Sequence, residues 1–255
     1  ALWASELTDE EVERASRDQW LYGSQLGFEF GRRDASRLRI GAAYYVYENI
    51  TGVRNAPGTA FNDYTAPGFV QKGNLMFNIR NDASTGDPNA ELWALAADYK
   101  LVNLTVEYDF VPKGDFHLIL TADYVKNVGY DVDEILTRAN GVASRSQGVV
   151  GGSSVFEERT EGYQVRLATG YPGASIAGRW QIYGGYRYLE RDAVLDAFTD
   201  SDFHLGGTDT KGWFAGMEYA LRKNVWVNAR WMSADSIDGA PMGVDVAQLD
   251  LNARF

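Results

Sequence analysis

The sequence predicts an all-β fold, a transmembrane antiparallel up-and-down β-barrel, on three observations. Nine segments alternate apolar and polar residues over ten or more positions, at roughly 18–31, 37–50, 100–110, 116–127, 161–171, 179–191, 211–221, 225–235 and 246–255. Strands of soluble domains average about five or six residues, whereas about ten cross a bilayer at a steep tilt. The connections also alternate: short at 32–36, 111–115, 172–178 and 222–224, long at 51–99, 128–160 and 192–210, and moderate at 236–245. Short turns on one rim and long loops on the other belong to barrels that span a membrane. Finally, one face of the nine strands carries no charge at all.

Composition is compatible with this class. A net charge of −11 argues against a nucleic-acid binder, which needs a basic footprint. Without cysteine, neither a disulfide framework nor a thiolate metal site can form. Mean hydropathy is −0.31, and no run approaches the roughly 18 apolar residues of a spanning helix. Barrel strands escape that test because they alternate. The 27 glycines, 15 tyrosines and 7 tryptophans beside only 6 prolines suit long paired strands, whose ladders proline would interrupt. The opening ALWASEL has neither the basic nor the apolar region of a signal peptide, which is therefore expected to be absent, removed or encoded upstream.

Taken in order, ALWASE reads as the end of a first strand and LTDEEVERASR as the loop after it. The helical look of TDEEVERA is a rival reading. With ALWASE the strand count is ten, and its shortness predicts that the chain is one barrel domain over 1–255 lacking N-terminal strands, the C-terminal ten of about sixteen. NAELWALAADYK (89–100) fits either a short helix within the longest loop or an early strand start. GVVGGSS (148–154) lacks the Gly-Lys-Ser/Thr ending of a phosphate loop and reads as a loop tip. The last strand, VAQLDLNARF, alternates to the final residue. Counting back from that end, taken as periplasmic, places the short turns in the periplasm and every long loop outside.

On the uncharged face only Ser24, Thr169, Gly184 and Ser233 are neither apolar nor aromatic. Lipid demands such a face, because a charge at mid-bilayer costs roughly 2–4 kcal/mol. Its short-turn ends carry Phe28, Phe30, Tyr108, Phe110, Phe116, Tyr171, Trp180, Tyr219 and Phe255. Its long-loop ends carry Trp20, Tyr22, Tyr44, Tyr124, Tyr163, Tyr186, Tyr188, Trp213 and Trp231. Two aromatic girdles around an aliphatic band mark the two membrane interfaces. A soluble sandwich or lipocalin-like barrel is the rival, with shorter strands and no such sorting. The other face holds Glu29, Arg39, Glu107, Asp109, Asp123, Arg166, Arg187, Glu218, Arg230 and Asp250. So many charges are costly to bury dry, and a hydrated lumen removes the cost.

The segments DQWLYGSQLGFEFG, RLRIGAAYYVYENI and LVNLTVEYDF, with the terminal LDLNARF, resemble the C-terminal part of the bacterial outer-membrane "putative porin" family. The resemblance covers most of the chain and rests on pattern rather than on a catalytic motif. It implies a Gram-negative outer-membrane barrel surrounded by lipid and lipopolysaccharide. It also implies that Phe255 is an assembly signal for the barrel-insertion machinery. The resemblance also implies a signal peptide and further N-terminal strands, which are expected to lie outside this sequence.

Little else points to chemistry. His117 falls on the polar face beside Asp115 and Asp123 with no nucleophile, so lumen lining is expected rather than catalysis. His204 lies in an acidic outer loop with Asp196, Asp200, Asp202 and Asp209. These carboxylates and DVDE (131–134) invite a Ca²⁺ reading, but the spacing is not that of an EF-hand and solvated loops are expected. No catalytic residue, metal ligand or cofactor is predicted. The polar face places Arg166, Arg187 and Arg230 on different strands from Glu29, Glu107, Asp109 and Asp123. This predicts either a transverse field across the lumen or simple cross-strand pairing. Loop 51–99, with Phe61, Tyr64, Phe69, Phe77 and Trp93, is expected to be ordered, narrowing the lumen or capping it. The function expected is passive diffusion of small hydrophilic solutes or ions, with a homo-oligomer compatible. The alternatives are a structural or partner-binding barrel and, more remotely, an outer-membrane hydrolase.

Overall fold

The strands form wherever β-branched and aromatic residues recur every second position. A computed structural model describes residues 2–6, 18–32, 35–80, 91–139, 157–173, 176–238 and 241–254. In chain order its strands are β1 (Leu2–Glu6), β2 (Trp20–Gly31), β3 (Ser36–Glu48), β4 (Met76–Asn78), β5 (Trp93–Leu95), β6 (Lys100–Lys113), β7 (Phe116–Asn127), β8 (Glu161–Gly170), β9 (Trp180–Leu189), β10 (Thr210–Arg222), β11 (Val225–Ser236) and β12 (Gly243–Ala253). A helix, α1 (Val132–Ala139), lies between β7 and β8. All but β4 and β5 join one ten-stranded sheet in the order β1-β2-β3-β6-β7-β8-β9-β10-β11-β12, every neighbouring pair antiparallel. The topology is up-and-down. Among the described residues β1 and β12 are the two edges of the sheet and no pairing joins them.

Each of the nine alternating segments contains a long strand, and Leu2–Glu6 of ALWASE is a strand as well. The β6–β7 hairpin turns on Gly114 and Asp115 between the paired Lys113 and Phe116, and Gly114 takes the positive φ that such tight turns require. The β10–β11 hairpin turns on Lys223 and Asn224, where asparagine supplies the same conformation. NAELWALAADYK resolves into the short β5, paired with β4 inside the longest loop. TDEEVERA, GVVGGSS and Phe255 lie outside the described residues.

The carboxylates of DVDE are exposed, as expected, but the segment opens a helix rather than continuing a loop. Asp131 accepts hydrogen bonds from the backbone N–H groups of Asp133 and Glu134 and so caps α1, which buries Ile135 and Ala139. The spacing Asp131-x-x-Glu134 before an apolar pair is a helix-start signal that the sequence carries.

Burial is inverted relative to a soluble domain. Each long strand exposes a large apolar residue on the uncharged face: Leu26, Ile40, Leu104, Leu120, Leu167, Ile182, Met217, Trp231 and Leu249, the last 75 % exposed. Soluble monomers rarely show a contiguous apolar surface of this kind. The buried core lies instead at the long-loop end of the opposite face, hereafter the inner face. There Leu75, Met76, Phe77, Ile79, Ala94 and Tyr99 of the longest loop pack on Leu21, Tyr47 and Leu101 of β2, β3 and β6. Ile135 and Ala139 of α1 and Leu195 of the loop after β9 complete this cluster.

Candidate functional site: the inner wall and its covering loops

Cross-strand register decides where the wall charges meet. Arg39 on β3 stands opposite Glu29 on β2 and Glu107 on β6. Its Nε lies 2.8 Å from Glu29 Oε2 and its Nη1 2.7 Å from Glu107 Oε1. One level nearer the turns, Arg37 reaches Asp109 at 3.1 Å, and His117 Nδ1 lies 2.7 Å from the other oxygen of Asp109. Near the β6–β7 turn, the wall therefore shows pairing between neighbours. His117 contacts Asp109 and not Asp115 or Asp123; Asp115 pairs with Arg179, and Asp123 accepts from the Thr105 hydroxyl at 2.7 Å.

The three other arginines sit on adjacent inner-face levels of β8, β9 and β11. Arg187 donates from Nε to Gln164 on β8 at 2.8 Å, and Arg230 donates from Nε to Gln248 on β12 at 2.9 Å. Arg166 lies over the Tyr183 ring, 4.5 Å from its centre. With Glu218 they line a recess of about 230 Å³. Two glycines make room: a Cβ on Gly185 would stand 2.4 Å from the Phe214 ring, and one on Gly216 2.4 Å from that of Tyr183. Asp250, opposite Asn228, is exposed.

Long loops cover this wall. The solvated-loop expectation for the acidic loop around His204 is corrected in part: Asp196, His204 and Asp209 are buried, as is Asp192, while Asp200 and Asp202 stay half-exposed. The apolar Val194, Leu195 and Phe203 between the acids are the signal that could have revealed it, since they pack inward. Phe203 sits on Met232 and Ala234 of β11 and under the Arg187 guanidinium. The loop also binds the longest loop. Asn74 donates to the carbonyls of Arg191 and Val194 and accepts from the Asp196 N–H at 2.7 Å. Asp192 accepts from the Leu75 N–H at 2.8 Å and from the Tyr99 hydroxyl at 2.9 Å. Asn127, at the end of β7, donates to the carbonyls of Asp98 and Asp192. Of the loop aromatics named above, Phe77 is fully buried, while Phe61, Tyr64 and Phe69 are exposed.

The sequence model of a family described as "Putative porin" matches residues 2–255. The chain belongs to that family. No curated protein sequence matches it. The family description points to an outer-membrane channel, and the antiparallel all-β architecture agrees with it. No helix among the described residues is long and apolar enough to cross a membrane.

The covering loops hold titratable groups in unusual states. Burial pushes the Asp192 carboxyl up to about 6, partly offset by the Leu75 N–H, Arg191 and the Tyr99 hydroxyl. Burial likewise pushes Asp209 up to about 6 and Lys72 down to about 8. His204 is held below its ordinary value by burial and by the nearby Lys72. Its Nδ1 contacts the Lys72 ammonium and its Nε2 lies 3.0 Å from the Met242 carbonyl. A lysine can only donate, so Nδ1 accepts and Nε2 carries the proton. No three His, Asp or Glu side chains converge as metal ligands among the described residues.

Proposed function

We propose that this protein is an outer-membrane porin through which small hydrophilic solutes or ions diffuse passively. The observation that carries the reading is the division of the sheet. One face exposes apolar side chains on every long strand, while the other holds hydrogen-bonded charges and is covered by loops. Lipid accounts for the first face and a hydrated lumen for the second. In this reading Glu29, Arg39, Glu107, Asp109, Asp123, Arg166, Arg187, Glu218, Arg230 and Asp250 line the lumen.

The aromatics at the strand ends then meet the bilayer interfaces. Phe110, Phe116 and Trp180 stand at the periplasmic side, and Trp20, Tyr22, Trp213 and Trp231 at the outer side. Ring contacts support both belts: Phe116 packs edge-on against Tyr171 and Trp180, and Tyr186 against Trp213 at 4.9 Å. Phe255, as the final aromatic, remains the proposed recognition point for the insertion machinery.

Reconstitution of the purified full-length protein in planar bilayers tests the reading. Discrete conductance steps are expected, with the selectivity of the small-ion current changed by substitutions on the inner face. A second reading, a structural or partner-binding barrel without transport, draws on the loops that cover the long-loop end. A fully folded but electrically silent protein would establish it.

A further inference from the structure

The recess between β8 and β11 has a feature that lumen lining does not require. Arg187 and Arg230 each spend Nε on a glutamine of a neighbouring strand. These bonds, which for Arg230 include a second from Nη2 at 2.7 Å, fix the guanidinium groups, and terminal nitrogens of both also face the loop after β9, where two carboxylates meet them. Asp202 pairs with Arg230 Nη2. Asp200 lies 3.7 Å from Arg187 and 3.9 Å from Arg230. Arg166 completes the group and has no carboxylate partner among the described residues. The carboxylates come from a short loop segment, whereas the arginines and glutamines come from wall strands. We propose that Arg166, Arg187 and Arg230 form a carboxylate-binding site on the inner wall, and that Asp200 and Asp202 are its tethered internal occupants, displaced by a small carboxylate-bearing solute. This deepens the porin reading and rests on it for the route by which solute arrives.

Three arguments favour carboxylate ligands. Planar guanidinium forks match the two oxygens of a carboxylate, and the present occupants are carboxylates. The recess, about 230 Å³, has room for a small organic acid. Glu218 lines the same recess, and Asp123 lies on the neighbouring side of Arg187, so a highly charged polyanion meets repulsion there. The tether acts as a competitor. A carboxylate on a short loop has an effective concentration on the order of millimolar, so a free solute must exceed that before it displaces the loop.

Succinate is the probe. Its binding to the detergent-solubilised full-length protein is measured by titration calorimetry, which needs no conduction, and its block of the bilayer current is measured separately. The D200N/D202N variant keeps the shape of the loop and removes the internal competitor. It is expected to bind succinate about tenfold more tightly than the parent. Adding R230Q to that variant is expected to abolish the gain, with unchanged far-UV circular dichroism confirming that the strands remain. Equal succinate affinity in the parent and D200N/D202N would overturn the tethered occupant. Tighter binding of inorganic phosphate than of succinate would overturn the carboxylate class. Succinate binding without any conductance would uphold the site and refute the porin reading, and conductance without binding would do the reverse.

Discussion

His204 ties the loop after β9 to two other segments through a single ring, and that works only while the ring is neutral. Protonation of Nδ1 would set two cations against each other at Lys72, with Asp235 the carboxylate that offsets His204's charge and Asp209 the one facing Lys72. Because its folded value lies below the ordinary 6.5, this contact stabilises docking above that value and weakens as pH falls through it. Asp192 and Asp209 act in the opposite sense. Their folded values of about 6 lie above the ordinary 3.8, so docking gains as pH falls through 6 towards 4. Each pKa unit corresponds to about 1.4 kcal/mol, so the buried Asp192 contributes on the order of 3 kcal/mol. His204→Gln keeps an acceptor for Lys72 and a donor for Met242 but cannot titrate. Amide protection at Gly206 and Gly207, corrected for intrinsic exchange, is expected to rise less between pH 7 and 5 in the parent than in the variant. Identical pH responses in the two proteins would refute the assignment. Asn74 carries a second expectation at this scale. Asn74→Ala strands the Val194 carbonyl and the Asp196 N–H in a buried site, while the Arg191 carbonyl keeps the Thr208 hydroxyl, at a cost of about 2–4 kcal/mol in loop docking, seen as loss of that protection in urea.

A strand of this sheet is defined by its two faces, so adjacent residues should respond oppositely to the same change. Leu120 and Thr121 of β7 make the comparison. Leu120 is on the exposed apolar face, whereas Thr121 is on the inner face between Glu107 of β6 and Arg166 of β8. Leu120→Arg is expected to lower the stability of the bilayer-inserted protein by roughly 2–4 kcal/mol, and Thr121→Arg by under about 1 kcal/mol, measured by urea titration in vesicles. Equal penalties would mean that both faces see the same medium. This period-2 logic also explains what was legible in the sequence. The nine long strands and ALWASE follow from alternation, which depends only on which side each residue faces. The register that puts Arg39 opposite Glu29 follows from hairpin geometry once the turn is placed, whereas its register with Glu107, across the longest loop, does not. The helix α1 was hidden in a loop whose few apolar residues give no sustained period. Burial of Asp192, Asn74 and His204 was not legible, because each is a polar residue satisfied by backbone groups distant in sequence. The residue itself carries no mark that distinguishes it from one facing water; only the apolar neighbours Val194, Leu195 and Phe203 hint that the loop after β9 packs inward.

At the scale of the molecule, the wall and the covering loops have separate sources of stability. The wall is held by long antiparallel ladders, and its apolar face needs a bilayer. The loops are held by a water-excluding cluster centred on Phe77, Leu75 and Tyr99, anchored to the wall through Leu21, Tyr47 and Leu101. One substitution can therefore remove the second without the first. Phe77 is fully buried, and a Cβ on Gly52 would stand 2.9 Å from its ring, so the site has no slack. Truncating such a residue costs about 3–5 kcal/mol, and burying a carboxylate there without a partner costs more. Phe77→Asp is therefore expected to detach the cluster and free the loops after β3 and β9 from each other. The long strands have no dependence on that side chain, so β-sheet circular dichroism and membrane insertion are expected to persist. If the cluster obstructs the lumen, single-channel conductance must rise and larger uncharged solutes must begin to pass. An inserted variant with the parent's conductance and solute cut-off would show that the loops stand clear of the path and that the wall alone sets its width.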